Sequence, residues 1–125
     1  MTNDDLIVTL QQLITALRAL EDDASANGDS ASAAALLSAL SNLQNALTIV
    51  AARDIIEALP SSDDGTQIKN AIAQIAKATQ DIQNELKSIN ASVDIARNVA
   101  TLVLQVSGGQ WGPALTTVGH LASLA

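Results

Sequence analysis

The sequence predicts an all-α fold, an antiparallel helical bundle of three long helices plus a short C-terminal helix with coiled-coil-like packing. Alanine, leucine, isoleucine and valine supply 58 of the 60 hydrophobic residues, and alanine and leucine are among the strongest helix formers. Apolar residues recur at alternating steps of four and three, the spacing of one helix face. Prolines occur only at positions 60 and 113. A chain of 125 residues is expected to form a single domain, here residues 1–125.

The first helix is predicted over about residues 4–23. Asn3 is the predicted N-cap, and Asp4 and Asp5 lie in the first turn, where the helix dipole favours negative charge. The segment EDDASANGDS, with its Asn-Gly turn, ends the helix. The predicted core stripe consists of Leu6, Leu10, Leu13, Leu17 and Leu20.

The second helix is predicted over about residues 30–59. Ile55, Ile56 and Leu59 extend its apolar face as far as Pro60, which ends the helix because proline lacks the backbone N–H and restricts the preceding residue. The predicted stripe consists of Leu36, Leu40, Leu43, Leu47 and Val50.

The third helix is predicted over about residues 66–106, and its apolar phase continues without a slip for five heptads. A continuous helix of this length spans about 60 Å at 1.5 Å per residue. The unbroken phase favours continuity, whereas Asn90-Ala91-Ser92 offers a break near residue 90, with Ser92 as the new cap. Thr79 interrupts the isoleucine stripe, either to set the register or because its hydroxyl bonds to a carbonyl one turn earlier.

A short fourth helix is predicted over about residues 113–123. Gly108-Gly109 ends the preceding helix, and Pro113 suits the first turn of the next one.

Composition excludes several classes of function. The net charge is −7, and the six basic residues are spread singly along the chain, which disfavours a nucleic-acid partner. The absence of cysteine excludes disulfides and zinc–thiolate sites. The start, MTNDDLIVTL, has aspartates where a secretory signal carries basic residues, so we expect a cytoplasmic protein.

The residues that carry chemistry do not form a recognisable site, so we expect a protein that is not an enzyme and has no cofactor and no metal. His120 is the only histidine, and a catalytic triad needs a base, an orienting group and a nucleophile together. Asp23, Ser25, Asn27 and Gly28 match the first positions of an EF-hand loop. Ala34 replaces the bidentate glutamate that such a loop requires, so turn formation is the favoured explanation.

Residues 98–125 carry no charge, and three interpretations of this segment compete. It closes the bundle as buried core, it forms a surface for self-association, or it contacts a membrane. Its two apolar arms around GGQWGP are broadly similar to the hydrophobic hairpins of α-helical pore-forming toxins, although both are shorter than the ~20 residues of a membrane-spanning helix.

We therefore expect a non-catalytic interaction or scaffold module whose partner is protein, principally a second copy of the chain, in a homo-oligomer. Its heptad stripes and its uncharged C-terminal region are the expected contacts. The alternative is a membrane-active, pore-former-like helical protein that uses residues 98–125. The candidate interaction-surface residues are Val99, Val103, Val106, Trp111, Leu115, Val118 and Leu121.

Overall fold

The computed structural model describes residues 2–124 and confirms the all-α class. The described residues form five helices: α1 (Asn3–Ala26), α2 (Ser30–Ala52), α3 (Asp63–Gln83), α4 (Ile89–Ser107) and α5 (Trp111–Leu124). The prediction of three long helices and one short helix therefore differs from the structure, because the predicted third helix is two helices.

The helices surround one hydrophobic core in the spatial order α1, α2, α4, α5 and α3, with α3 returning to α1. Helix α4 touches every other helix, chiefly α2 and α5. The predicted leucine stripes of α1 and α2 lie mainly inside this core. Each stripe is thus covered by other helices of the same chain.

The N-terminus of α1 is capped by Thr2, so the prediction of Asn3 as the cap is wrong. The Thr2 hydroxyl accepts a hydrogen bond from the Asp5 backbone N–H, and the Thr2 backbone N–H donates to the Asp5 carboxylate in return. Hydrogen bonding with Thr2, first with its backbone N–H and then with its side chain, holds the pKa of Asp5 below its ordinary value. This reciprocal pair is a capping box, which satisfies two otherwise unpaired groups at the helix end.

The side chain of Asn3 instead joins the start of α1 to the segment that follows α2. Its Nδ2 donates to the carbonyl of Val50 at 2.9 Å, and its Oδ1 accepts from the backbone N–H of Ile55 at 3.2 Å. Because this contact spans about fifty residues of sequence, local capping rules do not predict it.

Pro60 led to the prediction that the second helix ends near residue 59, and this prediction is wrong. Helix α2 ends at Ala52. Arg53 has an extended backbone with φ −156° and ψ 149°. The chain then turns so that Ile55 is completely buried, and Ile56 and Leu59 pack beside the core from the connecting segment. The apolar residues assigned to the end of helix 2 are therefore buried without being helical.

The continuous third helix predicted over residues 66–106 is wrong, because α3 ends at Gln83 and α4 begins at Ile89. Glu85 has a φ of +60°, which takes the chain out of the right-handed helix. The N–H groups of Glu85 and Leu86 donate to the carbonyls of Ile82 and Asp81, which makes this end a Schellman motif.

Ser88 caps α4 through its hydroxyl, which accepts a hydrogen bond from the N–H of Ala91. Ser92, the predicted cap for a break near residue 90, is buried and donates to the carbonyl of Ser88 at 2.8 Å. The break thus lies a few residues earlier than that alternative placed it.

Thr79 is buried, and its hydroxyl donates to the carbonyl of Ile75 at 2.8 Å. This bond matches the second interpretation of Thr79, in which the hydroxyl bonds to a carbonyl one turn earlier.

Candidate interaction surface

The predicted interaction residues lie in or beside the core of the monomer. Val99, Val103, Val106 and Leu121 are buried. Trp111, Leu115 and Val118 are half-buried and pack against the same core. These side chains join α4 and α5 to the other helices, so in this fold they do not form an exposed contact surface.

Helix α5 covers the uncharged end of α4. The two helices pack together, and the Thr117 hydroxyl donates to Oε1 of Gln105 at 2.7 Å. This bond satisfies two polar side chains at the joint between the helices. Burial, the first of the three interpretations, describes most of the large apolar side chains between residues 98 and 124, with Leu104 as an exposed exception.

The exposed surface nevertheless separates into charged and uncharged parts. Apart from Asp94 and Arg97 in the first half of α4, the charged residues lie in α1, α3 and the connecting segments. The outer sides of α2, of α4 after Arg97 and of α5 form what we call the uncharged face. Because α4 packs between α2 and α5, these three helices are neighbours, and the face is continuous around one side of the molecule.

Among residues 2–124, four large apolar side chains are strongly exposed. Leu104, on α4 within the uncharged face, is 51% exposed, and Leu37 on α2 is 54% exposed. Val8, on α1 one turn after Asp4 and Asp5, is 49% exposed, and Leu86 in the α3–α4 connector is 69% exposed. None of these four residues belongs to the predicted interaction set. Leu86 lies in the connector, yet it follows Ile82 by four residues and precedes Ile89 by three, which is the spacing of a core-facing stripe.

The described residues contain no group of three or more histidine, aspartate or glutamate side chains that could hold a metal ion. His120 is exposed on α5. In the segment compared with an EF-hand, the N–H groups of Gly28 and Asp29 donate to the carbonyls of Ser25 and Ala24, and Gly28 has a φ of +72°. This segment is a Schellman motif that ends α1, so it forms a turn, as the sequence analysis predicted.

A shallow surface crevice lies between α3 and α5, with Ile95 of α4 in its lining. It encloses only about 10 Å³ of space for water-sized molecules, far below the roughly 300–1,000 Å³ of ligand pockets. Its walls contain no titratable side chain; the lining residues are Ala71, Gln74, Ile75, Ala78, Ile95 and Leu121. The crevice therefore offers an apolar surface without groups for catalysis.

No protein-family model matches this chain, and neither a curated protein nor a solved structure matches it.

Among residues 2–124, α2 alone has the length and apolar composition of a helix that crosses a membrane, with a mean hydropathy of 1.3. In the bundle, 39% of that apolar stretch is buried.

Proposed function

We propose that this protein is a non-catalytic, cytoplasmic interaction module that binds protein, principally a second copy of itself. The observation that carries this proposal is the uncharged face. Two copies that each carry a net charge of −7 repel each other where their acidic surfaces meet. The uncharged face is the surface on which a second copy can approach without this repulsion.

The uncharged face also has the residue types of an association surface. Leu104 supplies an apolar side chain that is half exposed, and the exposed residues of the neighbouring α2 are mostly serine, alanine, asparagine and other small uncharged residues. Charged residues are depleted from the centres of protein interfaces, in agreement with this composition.

The proposal includes the finer architecture predicted from the sequence, with antiparallel helices and coiled-coil-like packing. The regular steps of four and three within each helix support it, because this spacing suits knobs-into-holes packing. The leucine stripes are engaged inside the monomer, so the self-association proposed here uses the outer surface.

The experiment is light scattering coupled to size exclusion, from the micromolar range to several hundred micromolar. We expect the mean mass to rise toward that of a dimer with concentration. Leu104→Glu introduces a charge into the uncharged face and is expected to reduce association at least tenfold. Val8→Glu introduces the same charge at a similarly exposed residue of α1, and we expect little change. A clean monomer throughout, or equal effects of both substitutions, refutes the proposal.

The second candidate function is membrane activity, and the observation in its favour is α2. Its 23 residues span about 34 Å, enough for the ~30 Å hydrocarbon core of a bilayer. Ser41→Lys alters an exposed residue at the middle of α2, which is harmless in the bundle but costs about 3 kcal/mol at the centre of a membrane span.

We test this candidate by flotation with liposomes and by the fluorescence of Trp111. Membrane activity predicts flotation and a blue shift that Ser41→Lys abolishes and that Gln11→Lys, at an exposed residue of α1, leaves unchanged. Protein that stays at the bottom of the gradient, with no blue shift, excludes this candidate.

A further inference from the structure

The connector between α3 and α4 differs from two other helix-ending turns of the chain. Gly28 and Gly109 occupy the left-handed position that ends α1 and α4, with φ near +70°. Glu85 holds the same position at the end of α3, with a φ of +60°. Residues with a Cβ are disfavoured there because the Cβ crowds the following carbonyl oxygen. The connector, NELKS, contains neither glycine nor proline, so each of its residues is compatible with a helix.

The apolar spacing of α3 continues through this connector into α4. Ile82, Leu86, Ile89 and Val93 follow at steps of four, three and four. Ile82 and Val93 are buried, whereas Leu86 is 69% exposed because the chain turns beside it. In a continuous helix, Leu86 lies on the same apolar stripe as the other three residues.

The α3–α4 turn is held only weakly by contacts between its two arms. Helix α3 packs mainly on α1 and α5, α4 packs mainly on α2 and α5, and α3 and α4 touch over a small area. Lys87 Nζ donates to the carbonyl of Leu124 at 3.1 Å, which ties the connector to the end of α5. Straightening the connector therefore breaks few direct contacts between α3 and α4. The contacts of α4 and α5 with the first three helices can form again with another chain.

We infer that the protein forms a dimer by exchange of α4 and α5 with a second copy, as α3, the connector and α4 become one continuous helix. Exchange of identical elements is a low-cost route to a dimer, and a strained hinge favours it. Relief of the left-handed conformation at Glu85 and burial of Leu86 beside the partner's hinge favour the exchanged form. The inference rests on the self-association proposed above, and it adds a second contact between the same two chains, at the connector.

Two substitutions at residue 85 test the hinge. Glu85→Gly removes the left-handed strain in the monomer and weakens the continuous helix. For each chain, the equilibrium between the continuous and the folded-back conformation should shift toward the folded-back one by on the order of tenfold. Because two chains exchange, the dimer dissociation constant should rise on the order of a hundredfold. Glu85→Ala removes the same carboxylate but keeps a Cβ, so we expect the dimer to persist at least as strongly as in the unmodified protein.

A second pair tests the stripe. Leu86→Gln places a polar side chain where the continuous helix requires an apolar one, so we expect the dissociation constant of the dimer to increase severalfold. Leu104→Gln changes a similarly exposed leucine outside the hinge and should have little effect on an exchanged dimer. Each protein is refolded at high concentration, to let chains exchange, before its mass is measured by light scattering.

The path of the chain is measured directly with spin labels, since the sequence contains no cysteine. Lys69→Cys and Thr101→Cys introduce labels at exposed residues of α3 and α4. In a continuous helix these labels lie about 48 Å apart. In the folded-back arrangement the chain reverses between the two labels, so they lie clearly closer together than in the continuous helix. Labelled chains are diluted into an excess of unlabelled chains, so that only the distance within one chain is read.

The expected result is a dimer with the long intramolecular distance, weakened by Glu85→Gly and Leu86→Gln. A dimer with only the short distance, weakened instead by Leu104→Glu, overturns the exchange but leaves the proposed self-association intact. A monomer under all conditions, with the short distance, overturns both.

Discussion

The contact of Asn3 with the segment after α2 predicts a large effect from a single substitution near the N-terminus. Asn3→Ala removes the donor to the Val50 carbonyl and the acceptor for the Ile55 N–H. It leaves the helix cap at Thr2 in place, so the change isolates a tertiary contact from helix initiation. We expect a substantial loss of stability although Asn3 lies at the first residue of α1.

The size of the effect follows from the two lost bonds. Each ordinary hydrogen bond contributes about 1 kcal/mol net, and a buried group left without a partner costs about 1–3 kcal/mol. Alanine's higher helix propensity returns up to ~0.7 kcal/mol. The expected loss is about 2 kcal/mol in the free energy of unfolding, which at this chain length lowers Tm by roughly 6–12 °C.

The assay is urea unfolding followed by far-ultraviolet circular dichroism, with the midpoint compared at constant slope. The matched control is Asn45→Ala at an exposed position of α2, where we expect a neutral or slightly stabilising effect. Asn3→Asp keeps the acceptor but places a carboxylate oxygen against the Val50 carbonyl, so it should also destabilise at neutral pH. If Asn3→Ala costs no more than the Asn45 control, the reasoning about this contact is wrong.

Three further substitutions test other parts of the structure. Thr79→Val removes a buried hydroxyl that bonds only within its own helix. The free energy of unfolding should therefore stay the same or rise by up to about 1 kcal/mol, and a clear decrease contradicts this prediction. Gly65→Ala places a Cβ against the carbonyl oxygen of Pro60 and should destabilise by at least about 2 kcal/mol in thermal unfolding, whereas Gly112→Ala, in open space, should not. Because folding lowers the pKa of Asp5, its contribution to stability is present above the ordinary value of 3.8 and is lost as the pH falls through its lowered pKa. Asp5→Asn should therefore flatten the loss of stability below about pH 4, and an NMR titration of Asp5 with a midpoint above 3.8 is incompatible with this prediction.

Local patterns were sufficient to identify most helical segments. The stripe in α1 and the stripe in α2 predict which sides of these helices are buried, since periodic spacing reports directly which face is apolar. The Asn-Gly and Gly-Gly turns were also recognised, because a glycine in a left-handed conformation ends a helix through local hydrogen bonds. These features depend on residues only a few positions apart.

The missed helix ends depend on distant contacts. Arg53 leaves the helical conformation where Asn3 holds Val50 and Ile55, and the Arg53 guanidinium donates to the carbonyl of Ser107 at the end of α4. The apolar spacing through Ile55 is the same whether that residue is buried in a helix or in a turn. Periodicity therefore predicted burial correctly but not the backbone conformation that achieves it.

The predicted interaction residues illustrate the same distinction. Their apolar character indicated that the end of the long helix needs a cover, and within the monomer α5 supplies that cover. The spacing of Val99, Val103 and Val106 is equally suited to a partner chain, so only the positions of the other helices show what covers them.

By itself, the sequence determined that the chain is helical, which faces of its helices are apolar, and which end of it lacks charge, because these properties reside in composition and short-range spacing. Only the tertiary structure decided that the long heptad pattern folds back at Glu85. The helix propensities and apolar phase of the connector are compatible with continuation. Within one chain, the fold back lets α5 pack against both α3 and α4, with a left-handed conformation at Glu85 and an exposed Leu86 as its consequences.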